Sequence, residues 1–366
     1  MKVAFRTDAS IQIGTGHVMR CLTLANELRR QGNECWFVCR EHPGNLGDLI
    51  ASQGHGLMLL PAPANHSPEG KDTASDDYAF WLGVPWQEDA RQTLDVISSL
   101  KPDWLVVDHY ALDAQWERSL SSVVGDIMVI DDLANRPHAC TLILDQNLGR
   151  VASDYDGLLP AVCQRLIGPG FALVRREFAV LRKRSLERRI DPELKRILIS
   201  LGGIDRPNVT GQVLEALATS SLPASTELDI IMGAYAPYLG EVRQQAGQLP
   251  FKATVSVNIR DMAERMCVAD LSIGAAGGTS WERGCLGLPA VLIVLAENQV
   301  AGAEALETAG AAISVGDTLS VVTKLSPILM ALSNTSRLMK MSKAAANITD
   351  GHGACSVAHT MSSAGR

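Results

Sequence analysis

Short apolar runs bounded by glycines and polar residues alternate along the chain with longer stretches whose apolar positions recur every three or four residues. The short runs predict buried strands and the periodic stretches amphipathic helices. In the first half, strands are expected at Val3–Phe5, Cys35–Val38, Leu57–Leu60, Trp104–Val107, Ile127–Ile130 and Leu142–Leu144, with helices near 17–30, 44–53, 87–100 and 113–123. Val18, Cys21, Leu22, Ala25 and Leu28 give the first helix its apolar face. The second half restarts the pattern, with strands at Arg196–Leu201, Leu228–Met232, Ala253–Val257, Leu271–Ile273 and Ala290–Val294 and a helix from about Asn208 to Ala218. Such alternation predicts an α/β protein, and the restart predicts two doubly wound Rossmann-like domains facing each other across a cleft.

Composition narrows the class. A chain of 366 residues, 46% hydrophobic and 20% charged, fits two globular domains with full cores. The net charge of −7 argues against a nucleic-acid partner, but a local phosphate pocket remains compatible with it. Eight scattered cysteines without a CxxC pair predict reduced, mostly buried thiols. No apolar run is long enough to span a bilayer, and the chain starts on a strand, so a cytoplasmic protein without stable membrane association is expected.

Two segments break the alternation. Residues 61–83, rich in Pro, Asp, Ser and Ala, form the longest loop-like stretch, of the kind that serves as a lid or an insert. The run Arg175–Arg189 holds seven arginines and lysines with interspersed acids, which fits a solvated helix joining domains better than a nucleic-acid surface. The expected organisation is a domain over 1–174, a basic linker helix over 175–194, a domain over 195–345 and a tail over 346–366.

Ligands of such sheets bind beyond the carboxyl ends of the strands, so the loops there carry the candidate chemistry. After the first strand, Gly14 and Gly16 let the backbone approach a ligand at a helix start, where the dipole favours an anion and a neutral His17. Asp108-His109-Tyr110 ends another strand. Gly202-Gly203 offers open amides for a diphosphate, yet lacks the Lys-Ser or Lys-Thr of a P-loop and is no G-x-G-x-x-G. Gly277, Gly278, Thr279 and Ser280 form a comparable turn, with Glu282 on the first turn of the next helix, where a carboxylate suits a ribose diol. No H-E-x-x-H, G-x-S-x-G or metal-spaced His/Cys cluster occurs, so metalloprotease and α/β-hydrolase readings fall away.

Taken in order, these segments are specific. Ile13-Gly14-Thr15-Gly16-His17-Val18-Met19-Arg20-Cys21, Asp108-His109-Tyr110, Asp131-Asp132-Leu133-Ala134-Asn135-Arg136-Pro137-His138, Ser200-Leu201-Gly202-Gly203, Thr279-Ser280-Trp281-Glu282-Arg283 and Glu297-Asn298-Gln299 resemble the UDP-2,4-diacetamido-2,4,6-trideoxy-β-L-altropyranose hydrolases of bacterial pseudaminic acid synthesis. The resemblance covers about residues 1 to 310. It implies a GT-B fold of the MurG type and an inverting, metal-independent attack by water that releases UDP and the free sugar. By the same resemblance no metal or other cofactor is required, His17 is the general base or the water-orienting group, and Tyr110 and Asn298 contact sugar or diphosphate near the reacting carbon. Gly14, Gly16, Asp8, Arg20 and Gln299 contact substrate, and Glu282 holds the ribose. Gly202, Gly203 and 277–280 cradle the phosphates, while Ile259 and Met262 border the uracil. Gly278 and Thr141 depart from the family's usual Ser and Asp. A glycosyltransferase using a UDP-amino sugar and a nucleotide-sugar-binding module that has lost its chemistry are the competing readings.

Overall fold

The computed structural model describes residues 1–63 and 78–364, so most of the loop-like stretch at 61–83 lies outside the described residues. Two compact units emerge: Met1–Leu173 with Gly353–Arg366, and Val174–His352.

The first unit is built on a parallel sheet of seven strands: β1 (Lys2–Thr7), β2 (Glu34–Arg40), β3 (Gly56–Leu60), β4 (Trp104–Asp108), β5 (Asp126–Ile130), β6 (Leu142–Asp145) and β7 (Gln164–Ile167), in spatial order β3-β2-β1-β4-β5-β6-β7. Side chains alternate across each strand, so Val3 and Phe5 join the core on one face while Ala4 joins the core on the other. Every strand expected in this half is present. β7 escaped sequence reading because Gln164-Arg165-Leu166-Ile167 is half polar at the edge of the sheet.

Beneath the ends of β1 and β2 lies a buried ionic knot. The Arg6 and Arg40 side chains are fully buried, and both bind Asp89, Arg6 through Nη2 at 2.7 Å and Arg40 through Nη2 at 2.6 Å. Trp116 Nε1 donates to the same carboxylate at 3.0 Å. Arg6 Nη1 also reaches Asp8 at 2.7 Å, and the Arg40 amide donates to Asp8 at 2.7 Å. Asp8, expected from the resemblance to contact substrate, is turned into this knot. It has no exposed surface, because it neutralises a buried guanidinium beside His42 and His109.

The second unit carries a parallel sheet of six strands: β8 (Arg196–Ser200), β9 (Glu227–Met232), β10 (Lys252–Val257), β11 (Leu271–Ala275), β12 (Ala290–Ile293) and β13 (Ala312–Gly316), in order β10-β9-β8-β11-β12-β13. One large core backs this sheet, with Ile197, Ile199, Ile230, Ile273 and Val291 fully buried against Val213, Leu214 and Leu325 of the covering helices.

Two boundaries differ from the sequence expectation. The basic run forms the helix Arg176–Arg188, which belongs to the second unit rather than to a linker. Its arginines bind helix ends: Arg189 donates to the carbonyls of Met266, Ala269 and Leu286, and Arg182 to those of Cys285, Ala346 and Thr349. Carbonyls at helix C-termini lack intrahelical partners and carry partial negative charge, so cations there are well matched. The expected tail is equally structural. Val357, Ala358 and Met361 of the helix Gly353–Ala364 are fully buried in one core with Val18, Cys21 and Leu22.

All eight cysteines are free and seven are buried, in keeping with their scattered spacing. Among the described residues no helix is long and apolar enough to cross a membrane.

Removing one partner of a buried ion pair strands the other charge, which typically costs about 3–5 kcal/mol. Asp89→Ala is expected to leave both Arg6 and Arg40 short of a counter-charge and to lower the urea midpoint of the first unit by a corresponding amount.

Candidate functional site

The strand order places β1 next to β4 in the first sheet, in parallel register with Thr7 opposite Asp108. The order reverses between these two strands, so the loops that follow them flank a topological switch point. The loop after β1 runs into the helix Gly16–Arg30, whose second residue is His17. Gly14 takes a φ of +80°, and nothing lies within 4 Å of a Cβ placed on Gly14 or Gly16. Thr15 precedes the helix without a side-chain cap, which keeps the loop open to a ligand.

His17 Nδ1 lies 2.7 Å from Asp108 Oδ1. A carboxylate only accepts, so in the neutral ring Nδ1 carries the proton and Nε2 presents its lone pair. Asp108 is fully buried and also accepts from Arg20 Nε and Nη2, each at 2.7 Å. Burial by itself would push the Asp108 carboxyl up, but the charge of Arg20 and the hydrogen bonds from Arg20 and His17 outweigh it and hold the group well below the usual carboxylate range. Arg20 continues to Asp132 at 2.7 Å, and the Tyr110 hydroxyl donates to Asp132 Oδ2 at 2.7 Å. His17, Asp108, Arg20, Asp132 and Tyr110 thus form one continuous polar chain.

Two of the expected contact residues are engaged within this chain. Arg20 is spent on two carboxylates and acts on His17 through Asp108. The Tyr110 phenol is almost wholly buried, and burial beside Asp132 raises its ionisation well above the ordinary tyrosine range. It therefore serves as a hydrogen-bond donor. Asp108 and Asp132 sit inside recognisable motifs, but no linear spacing indicates that they meet His17 and Arg20. Trp81 went unmarked in the sequence. Its ring lies 6.0 Å from that of His17 at 75° and stacks on Tyr110 at 5.5 Å and 21°.

In the second unit, β8 and β11 are neighbours, with Gly274 opposite Ser200, and the order reverses between them. The glycine turns singled out from sequence follow these two strands. A Cβ on Gly202, Gly203, Gly277 or Gly278 would meet nothing within 4 Å, so their backbones are open to a ligand. Gly274 is different: a Cβ there would lie 2.8 Å from the Ser200 carbonyl and 2.7 Å from Arg283 Nη1. The Arg283 guanidinium fits under the loop, donating to the Ala275 carbonyl at 2.7 Å and to Ser280 Oγ at 2.8 Å. Burial pushes Arg283 down to about 10. Ser280 is buried with its hydroxyl engaged from below, whereas Thr279 is exposed.

Glu282 accepts from Arg175 Nε at 2.9 Å through Oε1, leaving Oε2 for another donor. Asn298 is exposed in the short helix Glu297–Gln299. Gln299 Oε1 accepts from the Leu295 amide at 3.1 Å, bracing that loop. Ile259 and Met262 are half-buried after β10. His17, Arg20 and Tyr110 are brought together on one unit, and the glycine turns and Glu282 are assembled on the other.

Residues 209–354 match the glycosyltransferase family 28 C-terminal domain. A UDP-2,4-diacetamido-2,4,6-trideoxy-β-L-altropyranose hydrolase of Campylobacter jejuni is 28% identical over 246 residues, covering 67% of this chain and 74% of its own length. The chain is thus similar to this altropyranose hydrolase over two thirds of its length. Uncharacterized protein MJ1062 of Methanocaldococcus jannaschii is 25% identical over 309 residues, which span 82% of this chain and 56% of that protein. The crystal structure of Acinetobacter baumannii MurG aligns over 99% of both chains with a TM-score of 0.69 at 18% identity. That likeness carries the fold, which is the two-domain α/β GT-B fold expected from the motifs.

Beside the chain, Asp145 is buried and accepts from Arg150 Nε at 2.8 Å and from the Asn147 amide at 2.9 Å. The Tyr155 hydroxyl lies 2.9 Å from both Asp145 and Asp131, yet has one proton to give. Burial, and next the charge of Asp132, push Asp145 up to about 6. An unfolded aspartate titrates near 3.9, so the native protein holds an extra proton between about pH 4 and 6. Wild-type stability relative to Asp145→Asn is therefore expected to fall as pH rises through that window and to stay level above it. The change is on the order of 3 kcal/mol, read from urea midpoints of both proteins at several pH values.

Proposed function

We propose that the chain is a nucleotide-sugar hydrolase acting on UDP-2,4-diacetamido-2,4,6-trideoxy-β-L-altropyranose, the sugar nucleotide named for its Campylobacter relative. The observation that carries the reading is the 2.7 Å contact between His17 Nδ1 and a buried Asp108, which leaves Nε2 free as an acceptor. In this reading Nε2 takes a proton from a water molecule, whose oxygen attacks the anomeric carbon opposite the departing diphosphate. The bond from that carbon to the diphosphate oxygen breaks, UDP leaves, and the anomeric configuration inverts. Asp108 holds the ring in the required tautomer and faces the positive charge that develops on it, as an orienting carboxylate does for other histidine bases.

UDP is a good leaving group wherever its charge is met. The open backbones of Gly202, Gly203, Gly277 and Gly278 supply amides for that purpose, and the spare oxygen of Glu282 suits the ribose diol. Asn298, exposed on its loop, is assigned to the sugar or the diphosphate, and Ile259 and Met262 to the edge of the uracil. The match to a family 28 C-terminal domain also favours a second reading, a glycosyltransferase in which an organic acceptor replaces water.

NMR of the purified protein with this sugar nucleotide, in the presence of EDTA and without an acceptor, separates the two. Release of UDP and free inverted sugar supports the hydrolase; bound but unchanged substrate supports the transferase. For the hydrolase, His17→Ala is expected to cut turnover roughly a hundredfold or more with UDP affinity nearly intact. Glu282→Ala is expected to weaken UDP binding while sparing turnover at saturation. Calorimetric titration with UDP beside steady-state kinetics checks both.

A further inference from the structure

Aromatic residues make up 5% of this chain, yet Tyr78, Trp81 and Tyr110 all gather beside His17. Trp81 stands on the short helix Ala79–Leu82, which is anchored through buried Leu82. Its indole stacks on Tyr110, lies edge-on to His17, and meets Tyr78 at 4.7 Å and 65° and His109 at 6.5 Å and 88°. Both rings that it touches at the site are held from behind by ionic partners, His17 by Asp108 and Tyr110 by Asp132. The indole therefore packs against fixed neighbours.

Packing needs do not explain this placement. Trp104 and Trp116 fill the core of the same unit and are essentially unexposed, whereas Trp81 is only half-buried and stands outside both core clusters. A large apolar ring left partly open beside His17, whose Nε2 is left free by the Asp108 contact, has surface to offer a ligand.

We infer that Trp81 determines specificity, its indole forming the apolar wall of the sugar subsite in the first unit. This rests on the hydrolase reading and deepens it by naming the class of sugar selected: 6-deoxy sugars carrying acetamido groups. The C6 methyl and the acetamido methyls of such a sugar have no hydrogen-bonding needs and gain from contact with an aromatic face. A hydroxyl on C6 would lose its water partners against the indole without replacement, which disfavours ordinary hexosamines.

The test compares wild type, Trp81→Ala and Trp81→Phe with UDP-2,4-diacetamido-2,4,6-trideoxy-β-L-altropyranose and with UDP-N-acetylglucosamine, alongside the Kd for UDP. Trp81→Ala is expected to lower kcat/KM for the 6-deoxy substrate about tenfold or more and to narrow its preference over the 6-hydroxy substrate, with UDP affinity unchanged. Trp81→Phe keeps a ring and retains most of the preference. An equal loss for both sugars, or an intact preference in Trp81→Ala, overturns the assignment and leaves Trp81 as a support for His17. If wild type turns over neither compound, the hydrolase reading fails separately and binding decides. Tighter wild-type binding of the 6-deoxy sugar nucleotide than of UDP, lost in Trp81→Ala, sustains the wall; equal affinities overturn it.

Discussion

A carboxylate with no exposed surface, Asp108 at the end of β4, fixes the geometry of the polar chain that holds His17 in the first unit. Burying a charge is tolerated only where other charges and donors surround it, and here Arg20 and His17 supply them at 2.7 Å. The arrangement constrains both sides. Asp108 stays ionised because Arg20 is there, and His17 keeps its tautomer because Asp108 accepts from Nδ1. Arg20 is held in turn by Asp132, so a displacement of the Asp131–His138 loop would reach His17 through three charge-assisted contacts.

The same unit uses buried charge a second time, for architecture. Arg6, Arg40, Asp8 and Asp89 form a knot below the sheet edge, and Trp116 ties a covering helix to it. The knot lies at the ends of β1 and β2 and the site chain at the end of β4, and the two differ in what they leave free. The knot has no exposed side chain, whereas the site chain ends in an imidazole nitrogen with the half-buried Trp81 ring beside it. Polar clusters next to a strand end can serve either purpose, and solvent access separates them here.

In the second unit the corresponding solution relies on backbone. Gly274 permits Arg283 to pass beneath the loop after β11, so that a buried guanidinium braces the Ala275 carbonyl and Ser280 from below while the glycines above remain open. Positive charge lies under the turn without a long side chain occupying the space above it. The basic helix Arg176–Arg188 follows similar logic, its arginines matched to helix C-termini instead of to an external polyanion.

Much was legible in the chain itself. Short apolar runs and period-3.6 patterns located the strands and several helices, because burial on both faces of a parallel sheet or on one face of a helix imposes them whatever the tertiary context. The glycine turns and the place of His17 at a helix start were legible because open backbone beside a helix start favours glycine, whereas the roles assigned to them rest on the resemblance. Asp108 as partner of His17, ninety-one residues apart in contact order, was not readable, since only the pairing of β1 with β4 brings them together. The burial of Asp8, the return of Gly353–Ala364 to the first core and the aromatic wall at Trp81 were likewise decided by tertiary structure. A linear sequence records which groups are available; which charges neutralise one another, and which rings stay open, depends on distances that exist only once the sheets have formed.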